Sequence, residues 1–215
     1  MTEPRETADR HTPVMLARCV ELLAPVLDVP GAVMIDCTLG MGGHAEAVLQ
    51  AFGEVRVIGL DRDPQALELA GRRLARFGDR FTAVHAVYDD IRDVVHHRLG
   101  LPAVQAVLMD LGVSSLQLDE AERGFSYAHD APLDMRMDTS SGETALDLID
   151  RLDDDELANV IFKYGEERRS RRVARCIKQA RDQGDLVTTL DLRRAVVRAV
   201  GPARIGGVDP ATRTF

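Results

Sequence analysis

Ala32-Val33-Met34-Ile35-Asp36-Cys37-Thr38-Leu39-Gly40-Met41-Gly42-Gly43-His44-Ala45 is the stretch on which the fold turns. Its first six residues are a short apolar run closed by an acid and a thiol, the pattern of a parallel strand buried on both faces. The glycines that follow permit a tight turn and a close backbone approach by a ligand, and a helix-like run leads on toward Gly53. In that order the helix N-terminus lies beside the turn, where backbone N–H groups meet the polar groups of a nucleotide.

Reading outward, Thr12 as N-cap and Pro13 at the first helical position predict an introductory helix with Leu16, Val20, Leu23 and Leu27 on one face. Val55–Asp61 reads as a second strand, and Asp63 with Pro64 caps a helix whose Leu67, Ala70, Leu74 and Phe77 share a face before Gly78 stops it. A third strand is predicted from Phe81 to Tyr88, a helix from Ile91 to Leu99 and a fourth strand from Val104 to Asp110. Strands alternating with short helices force crossover connections, so the expected fold class is α/β, a doubly wound parallel sheet covered on both faces.

After Asp110 no strand pattern returns. A loop-rich stretch from Gly124 to Met137 precedes helices at about Thr144–Ile149, Asp153–Tyr164 with an Asp153/Glu156 capping box, Glu166–Arg181 and Thr189–Val200. Four strands are fewer than a doubly wound domain normally carries, so the chain is expected to be cut short at its C-terminal end.

Composition bounds the partners. The net charge of -8 is unevenly spread: Lys163–Arg204 holds 12 Lys/Arg against 5 Asp/Glu, so the rest of the chain is strongly acidic. Either this basic stretch is a solvated face, or it is a lobe that meets RNA phosphates. Arg168, Arg169, Arg171, Arg172, Arg175, Lys178 and Arg181 lie on one predicted helix. Cys19, Cys37 and Cys176 are odd in number and lack ligand spacing, which points to neither a disulfide framework nor a metal site. With no apolar run near the roughly 18 residues of a membrane helix and no leader-like N-terminus, a cytoplasmic location is the default expectation.

Three acids, Asp36, Asp61 and Asp110, end three predicted strands and so converge on one crevice. Asp61 stands where a carboxylate can accept hydrogen bonds from both hydroxyls of a ribose. Tyr88, at the predicted end of the third strand, is either plain packing or a surface for an adenine ring. The Gly-x-Gly-x-x-Ala spacing also satisfies the dinucleotide form of the fingerprint, so NAD stays open on the motif alone. A helix before the first strand, and His44 crowding the place of a pyrophosphate, lean away from it.

Several blocks in order, Asp36-x-Thr-x-Gly-x-Gly-Gly-His44, Leu60-Asp-Arg-Asp-Pro64, Asp110-Leu-Gly-Val-Ser-Ser-x-Gln-Leu-Asp119, Glu122-Arg-Gly-Phe125, Pro132-Leu-Asp-Met-Arg-Met137, Tyr164-Gly-Glu-Glu167 and Pro210-Ala-Thr-Arg-Thr-Phe215, resemble the MraW (RsmH) family. The resemblance implies a Rossmann-like class I methyltransferase with an all-helical insertion, using S-adenosylmethionine to methylate N4 of a decoding-centre cytidine in 16S rRNA of the small ribosomal subunit. It implies residues 1–112 as the cofactor domain, 113–208 as the substrate-recognition insertion and 209–215 as the start of a return to the sheet. Carried over by position, Gly42, Gly43 and His44 hold the cofactor's amino-acid end, Asp61 its ribose and Tyr88 its adenine. Asp110 and Gln117 complete the crevice, and Asp110 is the candidate catalytic residue. Asp209 stands where relatives often carry His, which leaves any role of that histidine unfilled here. Two rival readings stay open: an NAD-dependent oxidoreductase, and a non-catalytic RNA-binding or assembly protein. Oligomeric state has no signature in the sequence.

Overall fold

A computed structural model describes residues 13–202 and 207–215, so the expected cap at Thr12 and the last residue of the basic stretch, Arg204, lie outside the described residues. The chain divides into two compact units. One comprises the chain up to Leu116 together with Asp138–Ser140; the other comprises Gln117–Met137 and Ser141–Phe215.

The first unit is a four-stranded parallel sheet in the order β3-β2-β1-β4. Helix α1 (Leu16–Leu27) is followed by β1 (Val33–Asp36), α2 (Gly43–Ala51), β2 (Arg56–Asp61), α3 (Pro64–Leu74), β3 (Phe81–His85), α4 (Ile91–Asp93) and β4 (Ala106–Leu108). All four residues of β1 are buried, as its unbroken apolar run requires. Met34 and Val57 pack with Ala45, Val48, Ala70 and Leu74 on one face. Val33, Ile35, Ile58 and Leu60 pack with Val94 and Val95 on the other, so the sheet is doubly wound. The direction of winding changes between β1 and β4.

Several expected boundaries move. Helix α1 starts at Leu16, not Pro13, because Met15 takes a left-handed turn (φ 52°) that interrupts the helix geometry. The predicted Ile91–Leu99 helix keeps only one α turn before widening into a π-helical turn, Val94–Arg98, which sends adjacent Val94 and Val95 inward. Strand β4 pairs over three residues only. At Asp110 the backbone N–H donates to the Thr38 hydroxyl (2.7 Å) where a ladder carbonyl is needed for pairing to continue.

The second unit is helical. Helix α5 (Ser115–Asp119) straddles the division, and α6 (Ala145–Arg151), α7 (Asp154–Gly165), α8 (Ser170–Asp182) and α9 (Thr189–Val200) follow. Thr144/Asp147, Asp153/Glu156 and Thr188/Asp191 form reciprocal capping boxes that satisfy N-terminal backbone donors. Leu157, Ile161, Val173, Ile177, Leu192 and Val196 build the core, each contributing roughly 1.5–3 kcal/mol by burial. Helix α8 begins at Ser170, later than expected, because α7 ends in a left-handed Glu166 (φ 54°). Residues 209–215 pack within this unit: Asp209 pairs with Arg193 (2.7 Å), Ala211 is fully buried, and Phe215 meets Tyr127 edge-on at 5.3 Å. Among the described residues no helix is long and apolar enough to cross a membrane.

Candidate functional site

The C-terminal ends of β1, β2 and β4 bring three carboxylates together in the first unit. Asp36 is fully buried; its Oδ1 accepts from the backbone N–H of Thr38 (3.1 Å), while Oδ2 has no protein partner. Burial, with the charges of Asp61 and Asp110 adding to it, pushes the Asp36 carboxyl up to about 7. The neighbouring Cys37 thiol is pushed up to about 11 by burial and by Asp36, which makes it unreactive at neutral pH.

Asp61 does more than the sequence reading assigned to it. Its Oδ2 accepts the N–H of Gly40 at 2.7 Å and its Oδ1 the N–H of Asp63 at 2.9 Å. The acid at the end of β2 therefore fixes the glycine turn after β1 and the start of α3. Burial raises its carboxyl above the usual range despite these donors. A carboxylate has about four lone-pair directions, so two remain for a ligand. Asp63, fully buried, caps α3 by accepting from Gln65 N–H (3.1 Å).

The glycines of the loop are demanded by packing as well as by any ligand. Gly42 is the N-cap of α2 with φ 81°, and a Cβ there lies 3.0 Å from Leu74. A Cβ on Gly43 lies 2.4 Å from Pro13, in the segment leading into α1. His44 is buried, and its Nε2 lies 3.0 Å from the carbonyl of Val14. Thus, of the three residues expected around the cofactor's amino-acid end, Gly43 and His44 also dock the segment before α1, while Gly42 packs against α3.

Tyr88 is not at the end of β3. The ladder with β2 ends on the bond from Ala86 N–H to the Asp61 carbonyl (3.1 Å); the chain then leaves the sheet in a 3-10 turn that Tyr88 opens, and Tyr88 is 49% exposed. Asp110 is exposed two residues beyond β4, positioned through its backbone by Thr38. Gln117 belongs to the second unit, where it is buried. Sequence reading gave no role to the Thr38 hydroxyl, although the residue stands inside the glycine motif. It also missed His85, whose Nε2 lies 3.4 Å from Asp138; their separation of 53 positions leaves no local signal.

In the second unit, Arg123 is buried and donates to the carbonyls of Arg136 (3.0 Å) and Met137 (2.9 Å). Arg136 in turn grips Asp134 through two bonds of 2.8 Å. The Pro132–Met137 stretch is thus an ordered loop rather than a slack hinge.

A doubly wound parallel sheet with a glycine turn after β1 and acids ending β1 and β2 is an arrangement on which α/β domains hold nucleotide-like ligands. The MraW methylase family matches residues 8–215, and the chain belongs to that family. Proteins called ribosomal RNA small subunit methyltransferase H resemble it over nearly its whole length. That of Sorangium cellulosum is 59% identical over 99% of this chain and 66% of its own length. Those of Nocardioides sp. (55% over 95% and 64%) and Beutenbergia cavernae (54% over 100% and 64%) are similar. The chain therefore spans about two thirds of the length of these relatives.

Proposed function

We propose that this chain is the cofactor-binding and helical portion of an S-adenosylmethionine-dependent methyltransferase that modifies N4 of a decoding-centre cytidine in 16S rRNA of the cytoplasmic small ribosomal subunit. The observation that carries the cofactor is the Asp36–Asp61 pair. A buried carboxylate oxygen without a protein partner lies beside a glycine turn held open by a second carboxylate that keeps two acceptor directions. Such a set of acceptors fits an ammonium group and a ribose diol. The family and its named relatives support the class of substrate.

S-adenosylmethionine, when bound, supplies a methyl group activated by its sulfonium. Gly42, Gly43 and His44 would border its amino-acid end, Asp61 would take the ribose hydroxyls, and the exposed ring of Tyr88 would cover the adenine. Gln117 is assigned as a cofactor contact by resemblance only. The donor arrives activated, so the protein's work is orientation and exclusion of water. The N4 lone pair of cytosine is delocalised into its ring; the carboxylate of Asp110 accepts a hydrogen bond from the N4 amine and localises that pair. Methylation would leave N4 with a proton to lose, and the Asp110 carboxylate would take it.

The test is transfer of a labelled methyl group from S-adenosylmethionine to small subunits that lack the modification, followed by nucleoside analysis. The expected product is N4-methylcytidine at one position. Label at another base atom overturns the acceptor assignment. A melting temperature raised by NAD and not by S-adenosylmethionine overturns the cofactor. Cofactor binding with no transfer favours a binding role for the chain by itself.

A further inference from the structure

In the second unit, the end of α7 and the start of α8 enclose an open cleft of about 440 Å³, lined by Asn159, Phe162, Arg168, Arg171, Arg172 and Arg175. All six side chains are exposed, and the Phe162 ring is 58% exposed although it is among the largest apolar groups in the unit. The bland account is a solvated basic face. The gathering of four arginines around one exposed aromatic ring argues against it. Elsewhere exposed Arg72, Arg76, Arg98 and Arg151 pair with carboxylates, while exposed Arg56, Arg62, Arg92 and Arg198 stand singly without an ion pair among the described residues. At the cleft the guanidinium groups are clustered. Arg168 and Arg172 have no ion pair among the described residues; Arg175 turns back to the Arg171 carbonyl (3.2 Å), and the nearest acid to Arg171 is Asp155 at 4.0 Å. Arg171 and Arg175 are one helical turn apart, a like-charge spacing that opposes folding. The first residues of α8 also line the cleft and add the positive end of its dipole.

Unneutralised guanidinium groups around an exposed aromatic ring, with an amide at the rim, match a nucleotide better than a peptide carboxylate. The arginines suit a phosphate, the Phe162 face a base, and the Asn159 amide a base edge. The volume lies within the range of small-ligand clefts. We propose that this cleft is a single-strand RNA subsite that holds one unpaired nucleotide, with its phosphate against Arg168, Arg171, Arg172 and Arg175 and its base on Phe162. It rests on the reading of the chain as an rRNA-directed protein, and it adds a contact at a nucleotide other than the one methylated.

The test is fluorescence anisotropy of a labelled 12-nucleotide single-stranded RNA with the 215-residue chain, at several salt concentrations and without methyl donor. Phe162→Ala is expected to weaken binding roughly tenfold at every salt concentration without changing the salt slope, because stacking is not ionic. Arg168→Glu with Arg172→Glu is expected to lower the slope by about 1.4. Arg18→Glu with Arg72→Glu, the same charge change in the other unit, is expected to leave the slope within error. An abasic strand should bind the native chain as the full strand binds Phe162→Ala. Phe162→Ala binding like the native chain, equal affinity for a 12-base-pair duplex, or equal slope losses for both arginine pairs each overturns the subsite. Because no methyl donor is present, the outcome is separable from the enzymatic reading. A chain that fails to transfer methyl groups but shows these losses keeps the subsite and loses the enzyme assignment.

Discussion

The Asp61 carboxylate holds the Gly40 backbone N–H at 2.7 Å, so an acid at the end of β2 fixes the turn that follows β1. Two consecutive strands thereby share one polar clasp, and protein contacts alone hold the glycine loop in shape. Asp61→Ala releases two buried N–H donors, those of Gly40 and Asp63. The expected loss is about 2–4 kcal/mol of stability. It should appear as a lowered urea midpoint, together with at least a tenfold weaker affinity for S-adenosylmethionine by calorimetry. Unchanged stability with lost affinity would assign Asp61 to the ligand alone.

Asp36 makes stability depend on pH in a calculable direction. Its carboxyl titrates near 3.8 in the unfolded chain and at about 7 in the folded one. Between those values the folded state holds a proton that the unfolded state has released, so this group's contribution falls as pH rises and levels off above about 7. Asp36→Asn removes the dependence while retaining an acceptor for Thr38 N–H. Urea midpoints of both proteins from about pH 4 to about pH 8 should show the variant gaining on the native chain across that window. A difference independent of pH would show that Asp36 stays ionised throughout.

Thr38 and Asp110 should separate in a kinetic series. Asp110→Asn is expected to slow single-turnover methyl transfer roughly a hundredfold or more while leaving cofactor affinity unchanged. Thr38→Val leaves the carboxylate in place but removes the hydroxyl that receives the Asp110 N–H. A milder loss of roughly tenfold is expected, from misorientation alone. Full turnover by Asp110→Asn would move the proton acceptor elsewhere.

Two glycines make a paired stability test. Gly71 lies inside α3 with open space around a new Cβ, whereas a Cβ on Gly165 lies 1.8 Å from the Arg213 carbonyl oxygen. Gly71→Ala is expected to stabilise by about 0.5–1 kcal/mol through the unfolded chain. Gly165→Ala should destabilise by at least about 1–3 kcal/mol, since backbone must move. Differential scanning calorimetry reads both signs.

The alternation of strands and helices, the acids ending β1 and β2, and the Asp153/Glu156 capping box were legible because each is a local pattern, whereas the Thr144/Asp147 and Thr188/Asp191 boxes, closed by Asp, were not read. Helix α9 runs from Thr189 to Val200 as its periodicity requires, and Asp153 and Glu156 cap α7 as their spacing requires. Features set by distant partners were not legible. The end of β3, and with it the position of Tyr88, depends on how far β2 runs beside it: pairing ends at Asp61 and His85, and the chain turns away at Tyr88–Asp90. The end of β4 depends on a threonine hydroxyl 72 positions away. The late start of α8 follows a left-handed Glu166, unusual for a non-glycine residue. The double duty of Gly43 and His44 depends on Pro13 and Val14, about 30 positions earlier, and no spacing rule links them.

The close contact between Gly165 and Arg213 also has a bearing on synthesis. The helical unit is closed by its last residues: Asp209 on Arg193, Ala211 in the core, Thr212 on Tyr127 at 2.8 Å, and Arg213 against the end of α7. Chains emerge from the ribosome N-terminus first, so α6 to α9 are exposed before those closing residues are made. Among the described residues, the sheet unit takes its latest segment from Asp138–Ser140. The helical unit therefore gains Asp209, Ala211 and Phe215 only after α6 to α9 have emerged, and until then the apolar faces of those helices lack these partners.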